Sequence, residues 1–205
     1  ALLVAATVTL MLALHDGGTD YAWTSLRILG LFAGSAALWL AFVWRIRTAR
    51  EPLIPLSVLG NDVVVRGTVA ASCGVGAYIG LSIYLPVYFQ SARGMSTTES
   101  GFGLIPLMVG TVFGAIISGQ LMGRIVHYKR VPVLGLIFAT LGAMSLALWA
   151  NAMPLALFVI ILAMIGVGLG TVLPTTTVAI QNSVETHQLG TATGTVNFFR
   201  QLASA

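Results

Sequence analysis

Charge is what this sequence has least of. Its 205 residues include 10 Lys and Arg and 6 Asp and Glu, so only 8% are charged. A soluble domain carries about 25% charged residues, because its surface faces water. This shortage excludes a soluble enzyme, a disordered chain and a nucleic-acid-binding module. Cysteine is nearly absent too: Cys73 stands alone in an apolar stretch, so neither an intrachain disulfide framework nor a cysteine zinc site can be built. HExxH, GxSxG, paired carboxylates within an apolar run and His/Cys clusters are all missing, and His15, His127 and His187 fall in loops. No enzyme, metal or cofactor is expected. Gly166-Val-Gly168-Leu-Gly170 has the look of a nucleotide-binding glycine loop, but no strand precedes it and no acidic residue follows about 20 positions later. What the chain does have is 57% hydrophobic residues and a mean hydropathy of +0.95. These point to an integral membrane protein, an all-α polytopic transmembrane helix bundle.

A helix needs about 20 apolar residues to cross roughly 30 Å of hydrocarbon, so charge-free intervals of that length locate the spans. Arg66 to Arg93 encloses 26 uncharged residues and Glu99 to Arg124 encloses 24, one helix each. Arg130 to Glu185 encloses 54, enough for two helices broken at the turn Asn151-Ala-Met-Pro154. Arg27 to Arg45 encloses 17, a short span that extends into its flanks. The expected spans are 1–14, 26–44, 64–90, 100–122, 131–150 and 154–182, with a seventh starting after Gly190. Residues 1–14 read as a span cut short rather than a signal peptide, for they have no initiating Met, basic n-region or cleavage site. The chain is therefore expected to be an internal piece of a longer protein.

Basic residues in short loops stay on the cytoplasmic side. Arg45, Arg47, Arg50 and Arg66 lie between the second and third spans, and Arg124, Lys129 and Arg130 between the fourth and fifth. Seven of the ten basic residues thus fall on one side, and the alternate loops are external. The net charge of +4 follows from topology.

Helices associate in lipid through close backbone approach, which favours small residues four apart. Gly30/Gly34, Gly76/Gly80, Gly110/Gly114, Gly119/Gly123, Gly166/Gly170 and Gly190/Gly194 fit that spacing. Pro174 predicts a bendable helix in the 154–182 span, and Pro86 and Pro106 lie near the external ends of theirs. Ser96-Thr-Thr-Glu99 matches a capping box, which gives Glu99 a structural role.

Polar groups inside spans mark either a pathway or a packing bond. Tyr84 and Tyr88 are one helical turn apart, with Gln90 just beyond. They line a substrate path or belong to the interfacial aromatic belt. Thr175, Thr176 and Thr177 follow Pro174 and either face a cavity or bond back to helix carbonyls. Arg200 is the most informative residue, since 10 to 12 positions into the last span it is about 15–18 Å deep. With Asn197 and Gln201 it would form a polar cluster facing the bundle interior. A later helix start would leave it on the cytoplasmic side.

Together Arg50-Glu-Pro-Leu-Ile-Pro-Leu56, Tyr84-Leu-Pro-Val-Tyr88-Phe-Gln90, Ser96-Thr-Thr-Glu-Ser-Gly101, Leu104-Ile-Pro-Leu107, Gly166-Val-Gly-Leu-Gly170 with Pro174, and Gly194-Thr-Val-Asn-Phe-Phe-Arg-Gln201 carry a family resemblance. In order and spacing the chain resembles the 14-helix drug:proton antiporter branch of the major facilitator superfamily. The loop from His15 to Trp23 is similar to that branch's external loop between its two extra helices. The resemblance implies that 1–45 holds the two inserted helices, the first cut short. Residues 46–63 would be a cytoplasmic linker, and 64–205 an incomplete C-terminal six-helix half. The superfamily's cytoplasmic loop motif falls on Gly119, Arg124, Lys129 and Arg130, but Gly123 stands where the family has Asp, and Val126 where it has Gly.

The resemblance implies a multi-pass protein of the cell membrane that exports hydrophobic or cationic compounds in exchange for protons, by two halves rocking around a midplane cavity. The third, fourth, sixth and seventh spans would be most concerned with that cavity. The partners implied are the lipid bilayer, a small-molecule substrate, protons and an N-terminal half of the same chain. No acidic residue lies inside a span here, so the proton-coupling carboxylate is expected in that other half. The alternatives are an exporter of one endogenous compound, such as a siderophore or antibiotic, and a non-transporting membrane scaffold or sensor.

Overall fold

A computed structural model describes residues 2–48, 56–124 and 130–204. Arg50, His127 and Lys129 lie outside the described residues. The described chain is helical, and it forms two compact units, 1–60 and 61–204.

The first unit pairs α1 (Leu2–Asp16) with α2 (Leu26–Thr48) and ends in a short α3 (Leu56–Leu59). The pair is joined inside the apolar region by Ser35 Oγ, which donates to the Ala6 carbonyl at 2.9 Å. The connection between α1 and α2 is tightly built. Gly18 takes a positive φ of 79°, and the Trp23 ring lies over Gly17 and Gly18 where any side chain would collide with it. Arg27 covers the Tyr21 ring at 4.4 Å and pairs with Asp16 at 3.7 Å. The second span thus reaches Thr48, and Arg45 and Arg47 lie in its last turn.

The second unit runs α4 (Asp62–Arg93), α5 (Thr97–Phe102), α6 (Ile105–Met122), α7 (Arg130–Trp149), α8 (Leu155–Gly170), α9 (Val172–Gln181) and α10 (Leu189–Ser204). Five segments of the described chain are long and apolar enough to cross a membrane: 26–48, 62–93, 97–122, 130–149 and 155–181. These match the charge-free intervals. Asn61 starts α4: its Oδ1 accepts from the amides of Val63 and Val64, while its Nδ2 donates to the Ser183 carbonyl at 2.7 Å. Gly94, at φ 65°, closes the same helix. The Ser96/Glu99 capping box is present at the start of α5.

Proline sets both internal breaks. A proline has no N–H to donate, and its ring crowds the carbonyl four residues back. For Pro174 that carbonyl is Gly170, and the helix interrupts at Thr171, between α8 and α9. For Pro106 it is Phe102, and the break falls at Gly103–Leu104. Pro86, by contrast, stays inside an unbroken α4.

Packing follows the glycines. In the second unit the tightest pair is α6 with α8, then α7 with α8 and α10 with α4. Gly110 and Gly114 of α6 meet the backbone of Ala163 and Val167, while Gly166 and Gly170 of α8 meet the backbone of Leu107 and Thr111. Gly135 and Gly168 make the equivalent approach between α7 and α8. The other predicted pairs do not behave this way among the described residues. Gly30, Gly34, Gly80, Gly119, Gly190 and Gly194 face open space, Gly123 meets only the nearby Gln120 carbonyl, and Gly76 meets the Ala203 carbonyl on α10.

Candidate functional site

The sequence places its candidate residues on α4, α9 and α10, and the structure sorts them into three settings.

The first is the outer end of α4. Tyr84 is 74% exposed and points away from the unit. Tyr88, one turn on, turns inward: its ring stacks on Phe158 of α8 at 5.7 Å and 4°, and its hydroxyl donates to Asn151 Oδ1 at 2.9 Å. Phe89, fully buried, packs at a tilt against both rings. Gln90 Nε2 donates to the buried Ser100 Oγ at 3.0 Å, fastening α4 to α5. The two tyrosines therefore do not share an environment, and both Tyr88 and Gln90 are spent on packing within the unit.

Arg93, in the sequence only the limit of a charge-free interval, completes this end. Its Nη2 donates to the carbonyls of Ala150 and Met153, and its guanidinium lies 5.6 Å from the Phe158 ring. The α7–α8 turn around Asn151 is thereby held by Tyr88 through a side chain and by Arg93 through the backbone. Carbonyl partners have no sequence signature, which is why spacing did not reveal them. A double-mutant cycle of Tyr88→Phe and Asn151→Ala, read by thermal unfolding of the purified protein, should give a coupling of about 0.5–1.5 kcal/mol, the net value of one such hydrogen bond. A coupling indistinguishable from zero would show that the bond contributes nothing.

The second setting is α9. Thr175 is 1% exposed, and its hydroxyl donates to the Thr171 carbonyl at 2.7 Å. Thr176 and Thr177 bond back to Val172 and Leu173 at 2.7 and 2.8 Å. These bonds occupy carbonyls in the turn that precedes and contains Pro174.

The third is α10. Its buried face carries Ala192, Thr195 and Val196 and lies against α4. Asn197 and Gln201 are on its exposed side. Arg200 is half-buried at the border between the two faces. Eleven residues after Leu189, it sits about 16 Å along the helix.

The cytoplasmic loop motif is described only in part. Gly119 faces open space, Arg124 is exposed just after α6, and Arg130 is the exposed first residue of α7. An apolar cleft of about 450 Å³ lies between α7 and α8, lined by Gly135, Phe138, Ile160, Met164 and Val167 among others. It includes none of the candidate residues.

The geometry described so far is that of helices packed for a bilayer, with α10 exposing the polar groups of Asn197 and Gln201. Comparison with known proteins gives this arrangement a family. The model of the Major Facilitator Superfamily matches residues 1–205. The chain is 31% identical over 201 residues to the multidrug transporter protein MdtP of Bacillus subtilis, covering 98% of this chain and 37% of that protein. It is 30% identical over 198 residues to multidrug resistance protein 3 of the same organism, covering 97% and 38%. To an uncharacterised MFS-type transporter of Mycobacterium tuberculosis it is 30% identical over 200 residues, covering 98% and 29%. The chain thus spans roughly a third of the length of these relatives. Members of this family are multi-pass membrane transporters, not enzymes. With residues 1–205 matched by that model, the chain belongs to the Major Facilitator Superfamily.

Proposed function

We propose that the intact protein exports hydrophobic or cationic compounds across the cell membrane in exchange for protons, by alternating access, as a member of the 14-helix drug:proton antiporter branch. In this reading 1–45 are the two inserted helices, 46–63 the cytoplasmic linker and 64–205 most of the C-terminal half. The N-terminal half of the same protein then supplies the proton-coupling carboxylate.

The observation that carries the proposal is the exposed side of α10. Asn197 and Gln201 stand there with Arg200 beside them, on a helix that also carries Thr191, Thr193 and Thr195. Lipid does not accommodate such groups cheaply, so this side meets a water-filled cavity or another part of the protein. A midplane cavity between two halves is where transporters of this kind bind substrate. The relatives named for multidrug transport support broad specificity. Tyr84, exposed on α4, is a further candidate for the cavity wall. Tyr88, Gln90 and Thr175 support its framework.

Cells expressing the intact protein should accumulate less ethidium than cells without it, and a protonophore should abolish the difference. Equal accumulation with and without the protein would rule out multidrug export. A difference that survives the protonophore would rule out proton coupling.

A further inference from the structure

Many helix-borne hydroxyls in this chain bond back to the carbonyl three or four residues earlier. Thr111, Thr140, Thr175 and Thr195 do so, and so does Ser82 on α4 itself. Thr68 Oγ1 and Ser72 Oγ, also on α4, are buried and have no partner at all. A buried hydroxyl without a hydrogen bond is unfavourable, so these two protons are kept for another acceptor.

Their position identifies what they face. Thr68, Ser72 and Gly76 are four residues apart and share one side of α4. Gly76 lies against the Ala203 carbonyl of α10, with an ideal Cβ 3.1 Å from it. Asn61 ties the start of α4 to Ser183, just ahead of α10, and Gly76 and Ala203 each lie fourteen residues beyond the first residue of their helices. The two helices therefore run parallel and in register, which brings Thr68 level with Thr195, and Ser72 level with Phe199 and Arg200.

Arg200 makes no hydrogen bond or ion pair with any described residue. Among the described residues of α4, α9 and α10, the one acidic side chain is Asp62, paired with Arg66 at 2.7 Å in the first turn of α4. A half-buried guanidinium without a counter-charge is costly. A neutral acceptor would satisfy the hydroxyls and leave the charge, whereas a cation would be repelled. One carboxylate answers all three groups, with the guanidinium fork on one side and two hydroxyl donors on the other.

We propose that Arg200, Thr68 and Ser72 form a carboxylate-binding site in the seam between α4 and α10, which selects substrates that carry an acidic group on an apolar body. The proposal rests on the exporter reading and narrows it, since this side of the cavity disfavours cations. Because the hydroxyls are buried, the carboxylate enters between the helices rather than lying on their surface.

The test compares binding of 11-(dansylamino)undecanoic acid and its methyl ester to the intact transporter in nanodiscs, by dansyl fluorescence. The wild type should prefer the acid by about tenfold or more, the effect of one well-placed charge pair. In Arg200→Gln the ratio should fall to about one, while Arg200→Lys, which keeps the charge but loses the fork, should be intermediate. The near-isosteric double variant Thr68→Val/Ser72→Ala should also reduce it. Unchanged ester affinity in each variant reports an intact fold. Equal binding of acid and ester by the wild type would overturn the proposal. So would a preference that survives loss of both hydroxyls. A wild type without preference, joined to a lower melting temperature in Arg200→Gln, would mean that a carboxylate of the protein itself already neutralises Arg200, and overturns it too. Export of ethidium and of the dansyl acid is measured for the same variants in proteoliposomes, which enclose the compartment a nanodisc lacks. Export without acid preference refutes the site alone, and acid preference without export refutes the exporter reading alone.

Discussion

Gly114→Val and Gly170→Val should each leave little folded protein in the membrane. At Gly114 an ideal Cβ would lie 2.1 Å from the Val167 carbonyl oxygen, and at Gly170 the same distance from the Thr111 carbonyl oxygen. Real contacts of this kind stay above 3.0 Å, so α6 and α8 would have to separate by about 1 Å. The obstacle is backbone on both sides, and no change of rotamer relieves it. Separation also loosens Gly110 against Ala163 and Gly166 against Leu107, which lie in the same crossing. The penalty should reach or exceed about 3 kcal/mol, the upper end for overpacking, and lower the melting temperature by roughly 10 °C. Gly30→Ala is the control, because its Cβ meets nothing within 4 Å. It should stay within about 0.5 kcal/mol of wild type. Thermal unfolding in mild detergent, monitored by size-exclusion chromatography, separates the two classes. Melting temperatures that agree across all three variants would mean that the α6–α8 crossing is not the tightest point of the unit.

The second large effect is expected from Arg93→Met. The methionine keeps much of the apolar stem over Phe158 but leaves the carbonyls of Ala150 and Met153 without their donor. Charge-assisted hydrogen bonds of this kind contribute about 1.5–3 kcal/mol when protected from water. Arg93 is half-buried, so a total loss of about 2–3 kcal/mol is the appropriate expectation. The local consequence is more specific than the global one: amide exchange over residues 150–153 should accelerate, while exchange in α6 stays slow. Arg93→Lys should recover only part of the protection, since a single ammonium replaces a fork that reaches two carbonyls. Unchanged exchange over the turn would show that Arg93 does not hold it.

Charge spacing located the spans because an ionised side chain inside hydrocarbon is expensive, and that constraint acts residue by residue. The capping box at Ser96 and Glu99 was legible for the same reason, being complete within four residues. The interruption of the last long span was foreseen from Pro174 but not its place. The ring acts on the carbonyl of Gly170, so the break appears at Thr171. Glycine pairs were less informative. Gly110/Gly114 and Gly30/Gly34 have identical spacing, yet only the first has another backbone pressed against it, and what lies opposite is not a local property. Arg93, Thr68 and Ser72 escaped notice on the same ground. Arg93 binds main-chain carbonyls, and the two hydroxyls stand out only once the neighbouring helix and their unused protons are known.

The break at Thr171 also has a mechanical meaning. Above it, α8 is clamped to α6 and α7 by backbone contact at Gly166, Gly168 and Gly170. Below it, α9 packs on α4, with Ile180 against Gly67 and Val172 against Gly74. The ten residues of α9 are a rod of about 15 Å, so each 10° of bending at Thr171 swings its far end by about 2.6 Å. That end leads to Ser183, whose carbonyl holds Asn61, the residue that starts α4. A joint that flexes by a few degrees is thus geared to the foot of another helix, and a movement too small to disturb the glycine crossing arrives there as a displacement the width of an atom.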